Sequence, residues 1–139
     1  MTVLIDTDIL LDIALKRENF FVDSSKIIEL TENHQIISFI AWHSLSNFYY
    51  LTSSSTNRTK AKQFIADLLE FVKVAPVNTE SAKKAISIET SDFEDALQIS
   101  SAISCSADLI ITRNIKHYKK SLIKAITPSE FIKTYHQIT

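Results

Sequence analysis

Glycine is absent from all 139 residues, and proline occurs only twice. Phosphate-cradling loops of the Walker and dinucleotide-binding types depend on glycine, so both are excluded, and nucleotide cofactors held by such loops with them. The single cysteine, Cys105, cannot form an internal disulfide; its place inside a helical run fits a small core residue in a reducing compartment. No apolar stretch approaches the roughly 18 residues of a membrane span. The N-terminus passes straight into a short apolar run that ends in an acid, leaving no room for the basic and apolar regions of a signal peptide. A cytoplasmic location without membrane contact is expected. Net charge is −1, so a polyanionic partner would be held by local basic patches rather than by a cationic whole.

Apolar residues are plentiful. A hydrophobic content of 45% in 139 residues supports one domain, 1–139, with a real core. Residues 2–5, 35–40, 73–77, 109–112 and 125–126 read as short strands, and helical spacing predicts helices near 7–16, 23–30, 41–53, 58–72, 79–89 and 91–106. Pro128 and Glu130 after Thr127 mark the start of a last helix. Strands that are unbroken apolar runs alternating with helices predict an α/β fold, a three-layer α/β/α sandwich around a mainly parallel sheet.

The acids are concentrated at two places. Val3-Leu4-Ile5 ends at Asp6, followed by Thr7 and Asp8 at a helix start, and ligands of open parallel sheets gather beyond such strand ends. Asp6 also suits the N-cap of the helix that follows, and the two roles are compatible. The second place is Ser91-Asp92-Phe93-Glu94-Asp95. Ser91 and Glu94 have capping-box spacing, and Asp92 falls where a first-turn charge is favoured by the helix dipole. Asp95 lies beyond the cap on a stripe continued inward by Ile99 and Ala102, so its carboxylate needs a partner.

Three stretches, Val3-Leu4-Ile5-Asp6-Thr7-Asp8, Asp92-Phe93-Glu94-Asp95-Ala96-Leu97-Gln98 and Ala107-Asp108-Leu109-Ile110-Ile111-Thr112-Arg113-Asn114, resemble in order and spacing the PIN domains. That family includes the VapC-like toxin ribonucleases of bacterial toxin–antitoxin pairs. The resemblance implies RNA cleavage with Mg²⁺ or Mn²⁺ held by carboxylates, oxygen donors that suit hard cations. Carried over by motif, Asp6 and Asp95 are the principal metal ligands, and Asp92 a rim or water-mediated one. Thr112 would position a water or carboxylate, or it simply closes a strand as a β-former. Asp8 would ligate, orient a ligand, or occupy a first helical turn.

The chain departs from the family pattern at two positions. Asn47 stands where the family has a glutamate on the helix after the second strand. Another acid is expected after Thr112, at Asn114 or near His117, and neither is acidic. Fewer charges favour one metal over two. For RNA, Arg113, Lys116 and Lys119, with His117 and Lys120, follow a strand end, and Arg58, Lys60 and Lys62 open a helix. Tyr118 suits either base stacking or anchoring its loop in the core. Trp42 and Phe48 are placed in the core by helical spacing, with Tyr49 and Tyr50 outward. An antitoxin protein and a homodimer are partners implied by the resemblance alone.

Two other readings compete. Asp6-Thr7-Asp8 after a strand also resembles haloacid-dehalogenase phosphatases, which need a following glycine that this chain lacks. Asn47 and Asn114 further support a PIN-like module that binds RNA or protein without cutting.

Overall fold

The computed structural model describes residues 1–138. Its order is β1 (Thr2–Ile5), α1 (Thr7–Ala14), α2 (Phe21–Glu32), β2 (Ile37–Ile40), α3 (Trp42–Ser55), α4 (Arg58–Leu68), β3 (Lys73–Val74), α5 (Thr79–Ser87), α6 (Phe93–Ser104), β4 (Leu109–Ile111), a 3-10 turn Ile115–Tyr118, β5 (Lys124–Ile126) and α7 (Pro128–Ile138). The five strands lie in the order β3-β2-β1-β4-β5, and every neighbouring pair is parallel. The fold is the expected α/β/α sandwich.

Alternation along β1 shows why the sheet is covered twice. Val3 and Ile5 enter a cluster with Ile9, Ile27, Phe48 and Phe131 from α1, α2, α3 and α7. Leu4 enters the opposite cluster with Ile99 and Ala102 of α6 and with Ile110 and Tyr118. Successive side chains of a strand point to opposite faces, so a run apolar at every position demands helices on both.

The structure corrects several sequence expectations. Asp92, not Ser91, caps α6, its Oδ1 accepting from Glu94 N–H at 3.0 Å. Glu94 is thereby free of the capping box assigned to it. Trp42 is 66% exposed rather than core, whereas Phe48 is buried and stacks on Phe64. Cys105 is half-buried at the end of α6. The strand expected at 73–77 stops at Val74, and the helix from 58 ends at Leu68.

Lack of glycine has a visible consequence. Helices α1, α2 and α6 all end in paired bonds that close the last turn: Lys16 N–H to Ile13 O with Arg17 N–H to Asp12 O, His34 to Thr31 with Gln35 to Leu30, and Ser106 to Ile103 with Ala107 to Ala102. The first residue of each pair is left-handed, with φ of 49° at Lys16, 59° at His34 and 53° at Ser106. Glycine usually holds that position because a Cβ is strained there. Substituting the exposed His34 by glycine is expected to raise stability by about 0.5–1 kcal/mol despite the looser unfolded chain. Thermal denaturation checks this, and a lowered Tm counts against strain as the dominant effect.

Candidate functional site

Register in the sheet builds the site. Ile5 and Ile111 are paired across β1 and β4, and Asp6 N–H donates to Ile111 O at 3.0 Å. Asp6 and Thr112, each the residue after its strand, therefore emerge side by side. This crevice is where the sheet order reverses, since β1 leads on to β2 at one side while β4 lies at the other, and such switch points are the natural binding positions of open α/β sheets.

Asp6 is buried and accepts three hydrogen bonds, two of them on Oδ2. Its Oδ1 accepts from Thr7 N–H at 2.7 Å, which caps α1, and its Oδ2 accepts from the Thr112 hydroxyl at 2.9 Å and the Tyr118 hydroxyl at 2.8 Å. Burial pushes the carboxyl above its ordinary range, against the lowering effect of Tyr118 and Thr112. The Tyr118 hydroxyl is itself pushed up, by burial and then by Asp6. Tyr118 thus anchors its turn beneath the acid and is unavailable to stack on a base.

Asp8 joins the same hydroxyl. Its Oδ2 receives Asn114 Nδ2 at 2.9 Å, Arg113 N–H at 3.3 Å and, more weakly, the Thr112 hydroxyl at 3.5 Å. Its Oδ1 is buried with no hydrogen-bond partner among the described residues. Burial and the neighbouring Asp6 push Asp8 up to about 7.

From α6, Asp95 is 4% exposed and contacts His117, whose Nδ1 lies 3.3 Å from Asp95 Oδ2. Burial raises it to about 6, opposed first by His117. Glu94 Oε1 is held by His43 Nε2 of α3 at 3.0 Å and by Gln98 Nε2 at 3.1 Å. The hydrogen bond from His43 keeps Glu94 below the usual carboxylate range. Gln98 is fully buried and also reaches Ser44 at 3.0 Å, while Thr7 donates to Ser44 at 2.7 Å. One polar seam thus ties α1, α3 and α6 together.

The basic residues divide. Arg113 is committed to the fold: its Nε donates to Asp12 at 2.6 Å, and its guanidinium lies 4.2 Å from the Phe20 ring centroid. Asp12 is fully buried, with Arg17 a weaker second partner at 3.4 Å. Arg113→Gln is expected to cost about 3 kcal/mol in chemical denaturation, because it leaves the fully buried Asp12 with only the weaker Arg17 contact. Unchanged stability would return Arg113 to the pool of free phosphate contacts. Lys116 and Lys119 are exposed and, with His117 and Lys120, line an open groove of about 470 Å³. Asn47 makes no side-chain hydrogen bond among the described residues, one turn beyond His43 on α3.

Among the described residues no group of three or more His, Cys, Asp or Glu is placed to hold a metal ion. The donors still suit a hard divalent cation. Mg²⁺ characteristically takes one or two carboxylates and completes its shell with water and substrate phosphate. Asp6 and Asp8 share the Thr112 hydroxyl, and the bare Asp8 Oδ1 is a buried oxygen lacking a positive partner.

Sequence capping patterns concealed Glu94, nothing local in the sequence marked His43, and sequence alone placed neither Tyr118 on Asp6 nor Gln98 on Glu94 and Ser44. Most of their partners lie on other elements, up to 112 residues away.

Comparison with known proteins agrees with this architecture. No curated protein sequence matches the chain. Among solved structures, VapBC2 from Rickettsia felis, bound to a DNA fragment from its promoter, superposes with a TM-score of 0.68 at 17% identity, covering 91% of this chain and 98% of that one. VapBC-1 from nontypeable Haemophilus influenzae gives 0.67 at 17% identity, covering 93% and 99%. Mycobacterium tuberculosis VapC20, a toxin that cleaves the sarcin-ricin loop, gives 0.62 at 15% identity, covering 78% and 86%. A family model described as PIN domain matches residues 2–116, a span that includes both acid-bearing stretches and the end of β4. The chain belongs to the PIN domain family.

Proposed function

We propose that this protein is a metal-dependent endoribonuclease that hydrolyses RNA phosphodiesters with Mg²⁺ or Mn²⁺. The observation that carries this reading is the convergence of the Asp6 and Asp8 carboxylates on the Thr112 hydroxyl, with Asp8 Oδ1 buried and unpartnered. Asp6 and Asp95 hold the cation, water and substrate phosphate complete its shell, Asp8 stands beside Asp6 on the Thr112 hydroxyl, and Asp92, with one oxygen taken by the α6 cap, keeps an outer position. A bound cation supplies an acidified water and a counter-charge for the phosphodiester. Thr112 and Tyr118 fix the direction of the Asp6 carboxylate, and Asn114 does the same for Asp8. Lys116 and Lys119 hold flanking phosphates in the groove that meets Asp95 at His117.

The rest of the reading follows from kinship with VapC proteins. The chain acts as one domain in the cytoplasm, as a toxin restrained by an antitoxin protein, and as a homodimer for which the exposed Trp42 and Tyr50 of α3 offer apolar surface. No helix among the described residues is long and apolar enough to cross a membrane.

The test is cleavage of single-stranded RNA by the purified full chain. Activity with Mn²⁺ that is lost in excess EDTA and returns when Mn²⁺ is restored is the expected result. Cleavage that survives EDTA would overturn the proposal. RNA binding without cleavage at any metal concentration would favour the non-catalytic module, whose support is the loss of acids at Asn47 and Asn114.

A further inference from the structure

We infer that the connection from β4 to β5 carries a second RNA-binding groove, across the 3-10 turn from the groove at Asp95, which takes an unpaired stretch of the strand as it leaves the acid crevice. This rests on the RNA-nuclease reading and adds Leu122 and Lys124 to the residues that touch substrate.

Residues 113–124 hold Arg113, Lys116, Lys119, Lys120 and Lys124 and no acid, although the chain as a whole carries a net charge of −1. Arg113 and Lys120 have carboxylate partners, Asp12 and Glu89. Lys116, Lys119 and Lys124 are exposed and enter no ion pair among the described residues. A groove of about 430 Å³ collects those three lysines with Ile115, Leu122 and Tyr118. Lys116 and Lys119 also line the groove that meets Asp95 at His117, so the two grooves share one cationic ridge. Tyr118 is buried at the inner wall of the second groove, with its hydroxyl on Asp6. One tyrosine side chain therefore separates this groove from the acid crevice.

Its place on the fold gives the groove a direction. Thr112 N–H donates to Ile126 O at 3.0 Å, so Ile126 stands level with the crevice, and Lys124 begins β5 two residues earlier, about 7 Å down the edge of the sheet. A strand that crosses the ridge passes Lys124 on its way out. Leu122 decides the kind of RNA. It is 92% exposed, at a bend where the Ser121 hydroxyl accepts Ile123 N–H at 3.0 Å, so it adds almost nothing to the core, yet it lines the same groove as the exposed Ile115. Apolar surface set among ammonium groups suits the face of a base beside its phosphates; a duplex keeps those faces stacked inside, and an unpaired strand offers them. An acidic peptide would match the lysines but would leave their continuity with the crevice without a use.

The experiment is fluorescence anisotropy of a labelled single-stranded oligoribonucleotide with the full chain in EDTA, so that binding is read without cleavage. Leu122→Asp and Lys124→Gln are each expected to raise the Kd about fivefold or more with Tm unchanged, and Lys124→Gln to reduce the salt slope of binding by about 0.7. Lys73→Gln is the control, an exposed lysine that begins β3 at the opposite edge of the sheet, and is expected to stay within about twofold. The same RNA annealed to its complement is expected to lose no affinity on Leu122→Asp. If both variants bind single-stranded RNA like wild type, the second groove is overturned while Mn²⁺-dependent cleavage, and the nuclease reading with it, stands. A loss on Lys73→Gln equal to that on Lys124→Gln reduces the effect to net charge and overturns it as well. Poly-glutamate that binds as tightly as RNA and is weakened by Leu122→Asp makes this a surface for an acidic protein instead. Wild-type protein that neither binds nor cleaves RNA removes the nuclease reading, and this inference with it.

Discussion

Asp6→Asn is expected to lower Mn²⁺-dependent RNA cleavage on the order of a thousandfold, corresponding to about 4 kcal/mol of barrier, while leaving the fold in place. Asparagine is as good an N-cap as aspartate, so the bond from Thr7 N–H survives on the amide oxygen. The amide nitrogen would then face the Thr112 and Tyr118 hydroxyls, which can turn to accept. What disappears is one negative charge at the point where β1 and β4 end. Single-turnover rates on one RNA, with circular dichroism as the control, check the prediction. A variant cleaving within tenfold of wild type would remove Asp6 from the centre. Asp95→Asn is expected to act in the same direction, with more of its effect in metal affinity, because Asp95 reaches Asp6 only as a weak electrostatic neighbour.

How far this centre could be read from sequence depends on whether its contacts are made by regular elements. Asp6 and Thr112 were legible because parallel strands put consecutive carboxyl ends in one crevice, and the apolar runs at 2–5 and 109–111 are unambiguous. Asp95 was legible because its helical stripe continues in Ile99 and Ala102, both buried. Tyr118 was not, since it arrives through a 3-10 turn that carries no apolar period. Arg113 sits in a basic stretch and looks solvated; only a partner 101 residues away, the buried Asp12, shows that it is structural.

Glu94 illustrates a different failure. Ser91 and Asp92 are both good caps, and the choice between them decides whether Glu94 folds back onto its own helix or reaches toward α3. The capping box requires Ser91 as N-cap, yet Asp92 has the extended backbone of that position, with φ −125° and ψ 121°. A shift of one residue therefore converts a local capping glutamate into one held by His43 of α3 and by Gln98. Trp42 fails for a related reason. Helical spacing marks a face but does not say which face is covered, and on α3 the buried stripe is Ser44, Phe48 and Thr52, leaving Trp42 and Tyr50 outside.

Asp8→Asn is expected to stabilise the metal-free protein and to weaken its stabilisation by Mn²⁺. A buried carboxyl whose pKa is raised to about 7 on folding, first by burial and then by Asp6, penalises the native state whenever it must be ionised. The penalty is absent below the ordinary carboxylate range near 4, grows as pH rises, and is complete above about 7. Removing the charge should therefore raise Tm more at pH 8 than at pH 5, with a gain of roughly 2–4 kcal/mol at the higher pH. Asparagine keeps an oxygen for the donors on Oδ2, the Asn114 amide and the Arg113 N–H, so the local loop should hold. Mn²⁺ should raise the Tm of wild type, because a cation bound only to the native state stabilises it by mass action, and should do so far less in the variant. If the apo variant is instead less stable at pH 8, the two carboxylates are held by compensating donors rather than set against each other. The crevice would then be a structural polar seam, and the case for a cation there would rest on Asp95 alone.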